Sequence, residues 1–334
     1  MKVGELKNRI AAIASKYVSE EEALYFAQEI VETDLRKPPR KKYSDDLLHD
    51  IASWRDIQAT VEKTIDLPGY TQFNFNGLGP SLKLKEIHDV LEVKANQNGI
   101  SMVSIVNSAG MHTMHLWTQG LAKRGFFALC SWNGGPDAVV PFNGTKGILG
   151  TNPFTYAFPS DTGEVVVDMA TSEIPYFKIV EAKQKQTKLP FNAAVDDMGE
   201  VTVAPENALD DQGVSNLLPM GATYKGYSIN YLMEIMTGAL IGAKVSTQMG
   251  GDYIETEHGG FIIAIAIDRI TDRKKFDDSV KSMNEEIRLQ KPKAGTHKVI
   301  VPGDTNLGRI SGITDESEIE VDTDYLAKLD DLLQ

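Results

Sequence analysis

The longest strongly apolar stretch in this 334-residue chain, residues 261–267 (FIIAIAI), is seven residues long. Seven residues make a buried strand and fall far short of the ~20 that a membrane helix needs. The core therefore has to come from packing strands against amphipathic helices. Nothing else can staple it. Cys130 is the only cysteine, and one thiol closes no intrachain disulfide and builds no zinc cluster. A reducing compartment suits such a chain. Lys2, Glu5, Lys7 and Arg9 interrupt the start, so it offers no apolar signal region. Lys and Arg number 34 against 47 Asp and Glu, a formal net charge of −13. So acidic a surface repels nucleic acid and anionic lipid, which excludes both as general partners. The expectation is a soluble, cytoplasmic protein.

The first third reads as helical. Leu6, Ile10, Ile13 and Tyr17 form a stripe at helical spacing. Ser19-Glu20-Glu21-Glu22 fits a capping box opening a second helix through about Thr33, and Pro38-Pro39 ends it. A third helix is expected over residues 44–54, then a Gly-, Asn- and Pro-rich loop over 67–80. A fourth helix follows over 82–98, with Gly99 as its cap. The middle changes character. Strands are expected at 101–107, 126–132, 155–158, 164–168 and 261–267, with a helix reaching Lys123 between the first two. Residues 226–243 are apolar on nearly all sides, which predicts a buried helix. A surface helix over 277–289, a strand over 297–301 and an acidic helix over 324–333 complete the pattern. It reads as a central α/β layer flanked by helices from both ends of the chain. Residues 1–100 with 275–334 would form a helical region for substrate and dimer contacts, and 101–274 a central cofactor-binding domain.

Familiar nucleotide signatures are absent. No G-x-G-x-x-G follows a strand, and there is no P-loop. His112 and His115 are the only close histidine pair, and no Cys or spaced His supplies the further ligands zinc needs, so no metal is expected. Instead, several Gly-rich turns sit at the ends of apolar runs: 147–153, 221–226 and 301–304. Glycine lets backbone approach a ligand, and a helix start beside a lysine suits a phosphate. Lys225 is that lysine, flanked by glycines. Taken singly, each turn is also what an ordinary connection looks like.

Taken in order, the motifs are specific. Asp34-Leu35-Arg36, Asn76-Gly77-Leu78-Gly79, Asn107-Ser108 and Leu149-Gly150-Thr151-Asn152-Pro153 come first. Asp168-Met169-Ala170-Thr171-Ser172, Asp196-Asp197-Met198-Gly199, Tyr224-Lys225-Gly226-Tyr227 and Pro302-Gly303-Asp304 follow. This series resembles the malate/L-lactate dehydrogenase family that lacks the Rossmann fold. The resemblance implies a three-layer α/β/α fold with a mixed sheet and a homodimer with the cofactor near its interface. It also implies an NAD- or NADP-dependent oxidoreductase acting on small 2-hydroxy or 2-oxo acids such as malate or lactate. By position, Asp168, Met169, Ala170, Thr171 and Ser172, then Lys225, then Gly303, Asp304 and Thr305 match the family's cofactor-contacting segments.

The catalytic region departs from that pattern. Where the family carries Ser-His-Gly, this chain holds Arg40, Lys41 and Lys42. Asp45 takes the place of the carboxylate-binding Arg, and Gly110 that of a second histidine. Hydride transfer to a carbonyl still needs a proton donor. Lys41 lies in a basic run where neighbouring charges lower a lysine's pKa. His112 and His115 lie just beyond the empty histidine place, and Arg40 can clamp a carboxylate. Each also has a plainer reading, as a solvated basic loop or as helix-face histidines. A member that binds cofactor without turnover is the alternative function.

Overall fold

The computed structural model describes residues 1–37, 46–110, 113–249 and 257–333. Two helices open the chain, α1 (Val3–Ala14) and α2 (Glu20–Arg36). The Ser19 hydroxyl accepts from the Glu22 N–H and the Glu22 carboxylate accepts from the Ser19 N–H, so the capping box forms as written. Then come α3 (Asp46–Asp56), β1 (Glu62–Leu67), β2 (Tyr70–Asn74), α4 (Leu84–Asn98), β3 (Ile100–Ser108), α5 (Leu116–Lys123) and β4 (Phe126–Trp132). Strands β5 (Phe154–Ser160) and β6 (Gly163–Met169) follow, then α6 (Tyr176–Gln184), the short pair β7 (Ala194–Val195) and β8 (Val201–Thr202), and α7 (Tyr224–Thr237). The chain finishes with β9 (His258–Ala266), α8 (Ile267–Ile270), α9 (Arg273–Arg288), α10 (Asp304–Ile310) and α11 (Thr323–Leu333).

Seven strands form one sheet in the order β1-β2-β3-β9-β4-β5-β6. Only β2 and β3 run parallel; every other neighbouring pair is antiparallel, so the sheet is mixed. The fold is α/β. One face carries Val103, Ile105, Ala128, Cys130, Ile262 and Ala264, all fully buried under α4, α5 and the N-terminal helices. On the other face, Phe276 of α9 packs edge-on against Phe158. A Cβ on Gly259 would overlap the Thr237 carbonyl oxygen, so the end of α7 lies directly on β9. A second core gathers Val139, Leu149, Ile179, Ala193 and Leu217 into a smaller lobe built from loops, α6 and the β7–β8 pair.

Three expectations change. The loop over 67–80 contains strand β2, and β1 precedes it in an antiparallel hairpin. All of β1 is exposed, so no alternation of apolar residues announces it. Residues 297–301 form no strand; they pair with no other segment of the sheet. Helix α7 is not buried all round: Tyr231, Leu232 and Ile235 lie on its exposed side. Among the described residues no helix is long and apolar enough to cross a membrane.

Candidate active site

The sheet gathers the scattered motifs onto one edge. Strands β2, β3, β4 and β6 all end there, while antiparallel β9 and β5 begin there, as the pairs Ser108–His258, Trp132–Gly260, Ser131–Phe154 and Phe154–Met169 require. Along this edge stand Asn76-Gly77, Asn107-Ser108, Asn133, Thr151-Asn152-Pro153 and Asp168 to Ser172. Loops at strand ends can present polar groups to a ligand without breaking the ladder, so such an edge is a natural site.

Asp168 lies at the exit of β6. Its Oδ2 accepts from the His115 backbone N–H at 3.3 Å and stands 3.0 Å from His115 Nδ1. The other ring nitrogen, Nε2, is 3.2 Å from the Thr33 carbonyl oxygen. A carbonyl only accepts, so Nε2 donates there. His115 is buried with both nitrogens engaged, and it ties the end of α2 to the exit of β6. It holds Asp168 in place and in this arrangement offers no free nitrogen to a substrate. The Asp168 side chain is 24% exposed, which leaves it accessible from the edge. Cys130, buried below, is chemically quiet: burial, with the Asp168 charge adding to it, pushes its thiol well up.

Beyond Asp168, Met169 and Ala170 are half-buried and Thr171 is buried. The Thr171 hydroxyl lies 2.8 Å from the Thr151 carbonyl and accepts from Asn230 Nδ2 at 2.9 Å. Ser172 closes a local turn on the Ile174 carbonyl. Asn230 also donates to the Gly150 carbonyl, so α7 is bound to both segments at once. Lys225 stands in the first turn of that helix, exposed and with no ion pair among the described residues. A Cβ on Gly226 would overlap the Met220 carbonyl oxygen, so only glycine lets that loop cross the helix start. An unpaired cation beside free first-turn N–H groups suits a phosphate. The residues present therefore fit the cofactor implied by the motifs.

Gly303 to Thr305 meet β6 further back. Gly303, at φ 93°, starts α10, and a Cβ there would press on Val165 and Val166. Asp304 pairs with Arg288 at 2.7 Å, and that guanidinium holds its carboxyl below the usual value. Thr305 is exposed. Strand β6 thus carries both segments, α10 at its middle and the path to α7 at its exit. Arg40, Lys41, Lys42, Asp45 and His112 lie outside the described residues. Among the described residues no three His, Cys, Asp or Glu side chains group as metal ligands would. A cleft of about 710 Å³ in the smaller lobe is lined by Asp196, Asp197 and Met198, which places that motif at its wall.

Sequence reading missed Glu234, Asn133 and Ser246. Glu234 is buried, and its carboxylate accepts from Asn152, Asn133 and the Ser246 backbone N–H. A signal existed: Asn230 and Glu234 stand four residues apart in an apolar helix, on one face.

A model of the malate/L-lactate dehydrogenase family matches residues 55–330. The chain is 31% identical to L-sulfolactate dehydrogenase of Methanothermobacter thermautotrophicus, over 71% of this chain and 66% of that protein. It is 29% identical to malate/(S)-sulfolactate dehydrogenase of Methanothermus fervidus, over 94% and 91%. Sulfolactate dehydrogenase from Methanocaldococcus jannaschii has the same fold, with TM-score 0.82 at 24% identity, covering 99% of this chain and 96% of that one. So does malate dehydrogenase from Entamoeba histolytica, at 0.84 and 19%, with 99% and 96% covered.

Proposed function

The chain belongs to the malate/L-lactate dehydrogenase family, and from that premise we propose that it moves a hydride between a nicotinamide cofactor, NAD or NADP, and a small 2-hydroxy or 2-oxo acid such as malate or lactate. It is a dehydrogenase or reductase acting on CH–OH groups. The supporting observation is the single sheet edge, where Asp168 to Ser172 are joined through Asn230 to the helix that starts with Lys225.

The nicotinamide ring supplies or accepts the hydride when bound. The protein does the rest. Lys225 and the first turn of α7 pair with a cofactor phosphate. Asp168, held by His115, presents a carboxylate that accepts from hydroxyl or amide groups and repels phosphate, so it belongs at the sugar or carboxamide end. Arg40 takes the substrate carboxylate, and Lys41 or His112 delivers the proton to the developing alkoxide. His115 orients rather than donates, because both its nitrogens are engaged.

A second copy of this chain covers the exposed side of α7, where Tyr231 is 51% and Leu232 50% exposed. The buried, lone Cys130 suits a reducing, cytoplasmic setting.

Titration with NADH and NADPH, followed by a panel of 2-oxo acids, tests the reading. Binding of one cofactor and turnover of one acid is expected. Binding without turnover on any acid rejects the reaction; no fluorescence change with either cofactor rejects the site. Replacing Lys41 and His112 together with Ala lowers kcat by ~10²–10⁴ with cofactor affinity nearly unchanged. An unaltered kcat removes both from the mechanism.

A further inference from the structure

Glu234 is 3% exposed and has no cationic partner among the described residues. Its carboxylate is satisfied by neutral groups alone. Oε1 accepts from Asn133 Nδ2 at 3.2 Å and from the Ser246 backbone N–H. Oε2 accepts from Asn152 Nδ2 at 2.7 Å and lies 2.8 Å from the Ser246 hydroxyl. These partners come from three separate loops at the site edge. Asn133 follows β4, Asn152 precedes β5, and Ser246 follows α7. Asn152 is itself held at φ 37°, and its Oδ1 accepts from the Gly134 N–H. One turn earlier on the same helix face, Asn230 binds Gly150 and Thr171. Burying a lone carboxylate is costly unless every lone pair is met.

We propose that Glu234 is a positioning residue for the cofactor: it fixes α7, and with it Lys225, against the loops that carry Thr151-Asn152 and Thr171-Ser172. This rests on the nicotinamide reading above. A carboxylate is what the place requires, because three N–H groups, from Asn133, Asn152 and the Ser246 backbone, point inward, while the Ser246 hydroxyl lies between Glu234 and the Gly135 carbonyl. An amide of the same shape would turn its own NH₂ onto at least one of the three.

The test is Glu234→Gln, compared with the unaltered protein by NADH and NADPH titration, steady-state kinetics and thermal unfolding. The expected result is a rise of about tenfold in cofactor Kd and KM. The KM of the oxo acid stays within twofold and kcat at saturating cofactor within threefold, as a shifted binding geometry rather than lost chemistry predicts. A folded variant with unchanged cofactor Kd overturns the proposal, whatever its Tm. Should Glu234→Gln fail to fold, Ser246→Ala removes the hydroxyl that Glu234 shares with the Gly135 carbonyl and the Gly150 N–H, and keeps the backbone donor. Its cofactor Kd then rises about threefold, and an unchanged Kd in folded Ser246→Ala is again fatal. If the unaltered protein binds neither NADH nor NADPH, the nicotinamide reading itself has failed, a result separate from either variant's.

Discussion

Buried charge is handled in opposite ways around α2 and around α7. On the α2 side, charge meets charge. Arg36, with its side chain fully buried, reaches Glu32 at 2.9 Å and Glu164 at 3.0 Å. Lys123 reaches Glu32 at 2.7 Å and Glu29 at 2.9 Å. Burial alone would raise the Glu32 carboxyl, but Lys123 and Arg36 outweigh it and hold the group below its ordinary value. On the α7 side, Glu234 meets only amides, a backbone N–H and a hydroxyl. Ion pairs tolerate some play in angle, because Coulomb attraction is not directional. Hydrogen bonds from amides are directional and lock orientation. The contrast assigns stability and its response to pH to the α2 side and, on the proposed function, the placing of the cofactor to the α7 side.

The sharpest way to break this contrast is Arg36→Met. It leaves Glu32 and Glu164 short of a partner and lowers unfolding free energy by about 3 kcal/mol in urea titration. If Glu234→Gln costs more stability than Arg36→Met, the division of labour is wrong. Next in size is a pH effect on the α2 side. His88 is wholly buried, its Nε2 faces the Trp117 carbonyl, and Nδ1 accepts from the Tyr25 hydroxyl at 2.7 Å. Burial, aided by the nearby Arg124 charge, pushes His88 down to about 3. Between that value and the unfolded ~6.5 the unfolded chain binds the extra proton. Stability is therefore complete above pH ~6.5 and falls by about 1.4 kcal/mol per unit as pH drops toward the folded value. In His88→Gln this part of the slope should vanish in a pH series of urea midpoints; an identical slope refutes the assignment. The smallest effect sharpens the α7 side. Lys225→Met raises cofactor KM by about tenfold at low salt and leaves Tm unmoved, since the residue is exposed. The penalty shrinks at high salt, where screening has already weakened the phosphate contact. A Tm loss without a KM change would make Lys225 a structural residue.

How far each feature could be read in advance follows from where its signal lies. The capping box at Ser19 and Glu22 is local chemistry, four residues long, and it forms as written. Strands β3, β4 and β9 announce themselves because their apolar residues face a packed core. Strand β1 is silent because all six of its residues face solvent. Helix α7 misleads because its apolar surface exceeds what its own lobe covers. Asp168 and Lys225 stand out by motif, whereas Glu234 shows only its four-residue spacing from Asn230 until three loops close on it.

The order of the motifs, the elements that bury a face, and the membership of a dehydrogenase family are properties of the linear chain, because spacing and hydrophobic period act over a few residues. Where those motifs meet is not. Asn107 shares one edge with Asn152 and Asp168 only because β9 is inserted between β3 and β4, and the helix that starts with Lys225 is tied to that edge through Asn230. That His115 holds Asp168 instead of standing free was likewise decided in space, by a backbone carbonyl on α2 that takes its second nitrogen. Long-range pairing chooses partners that no local pattern can name.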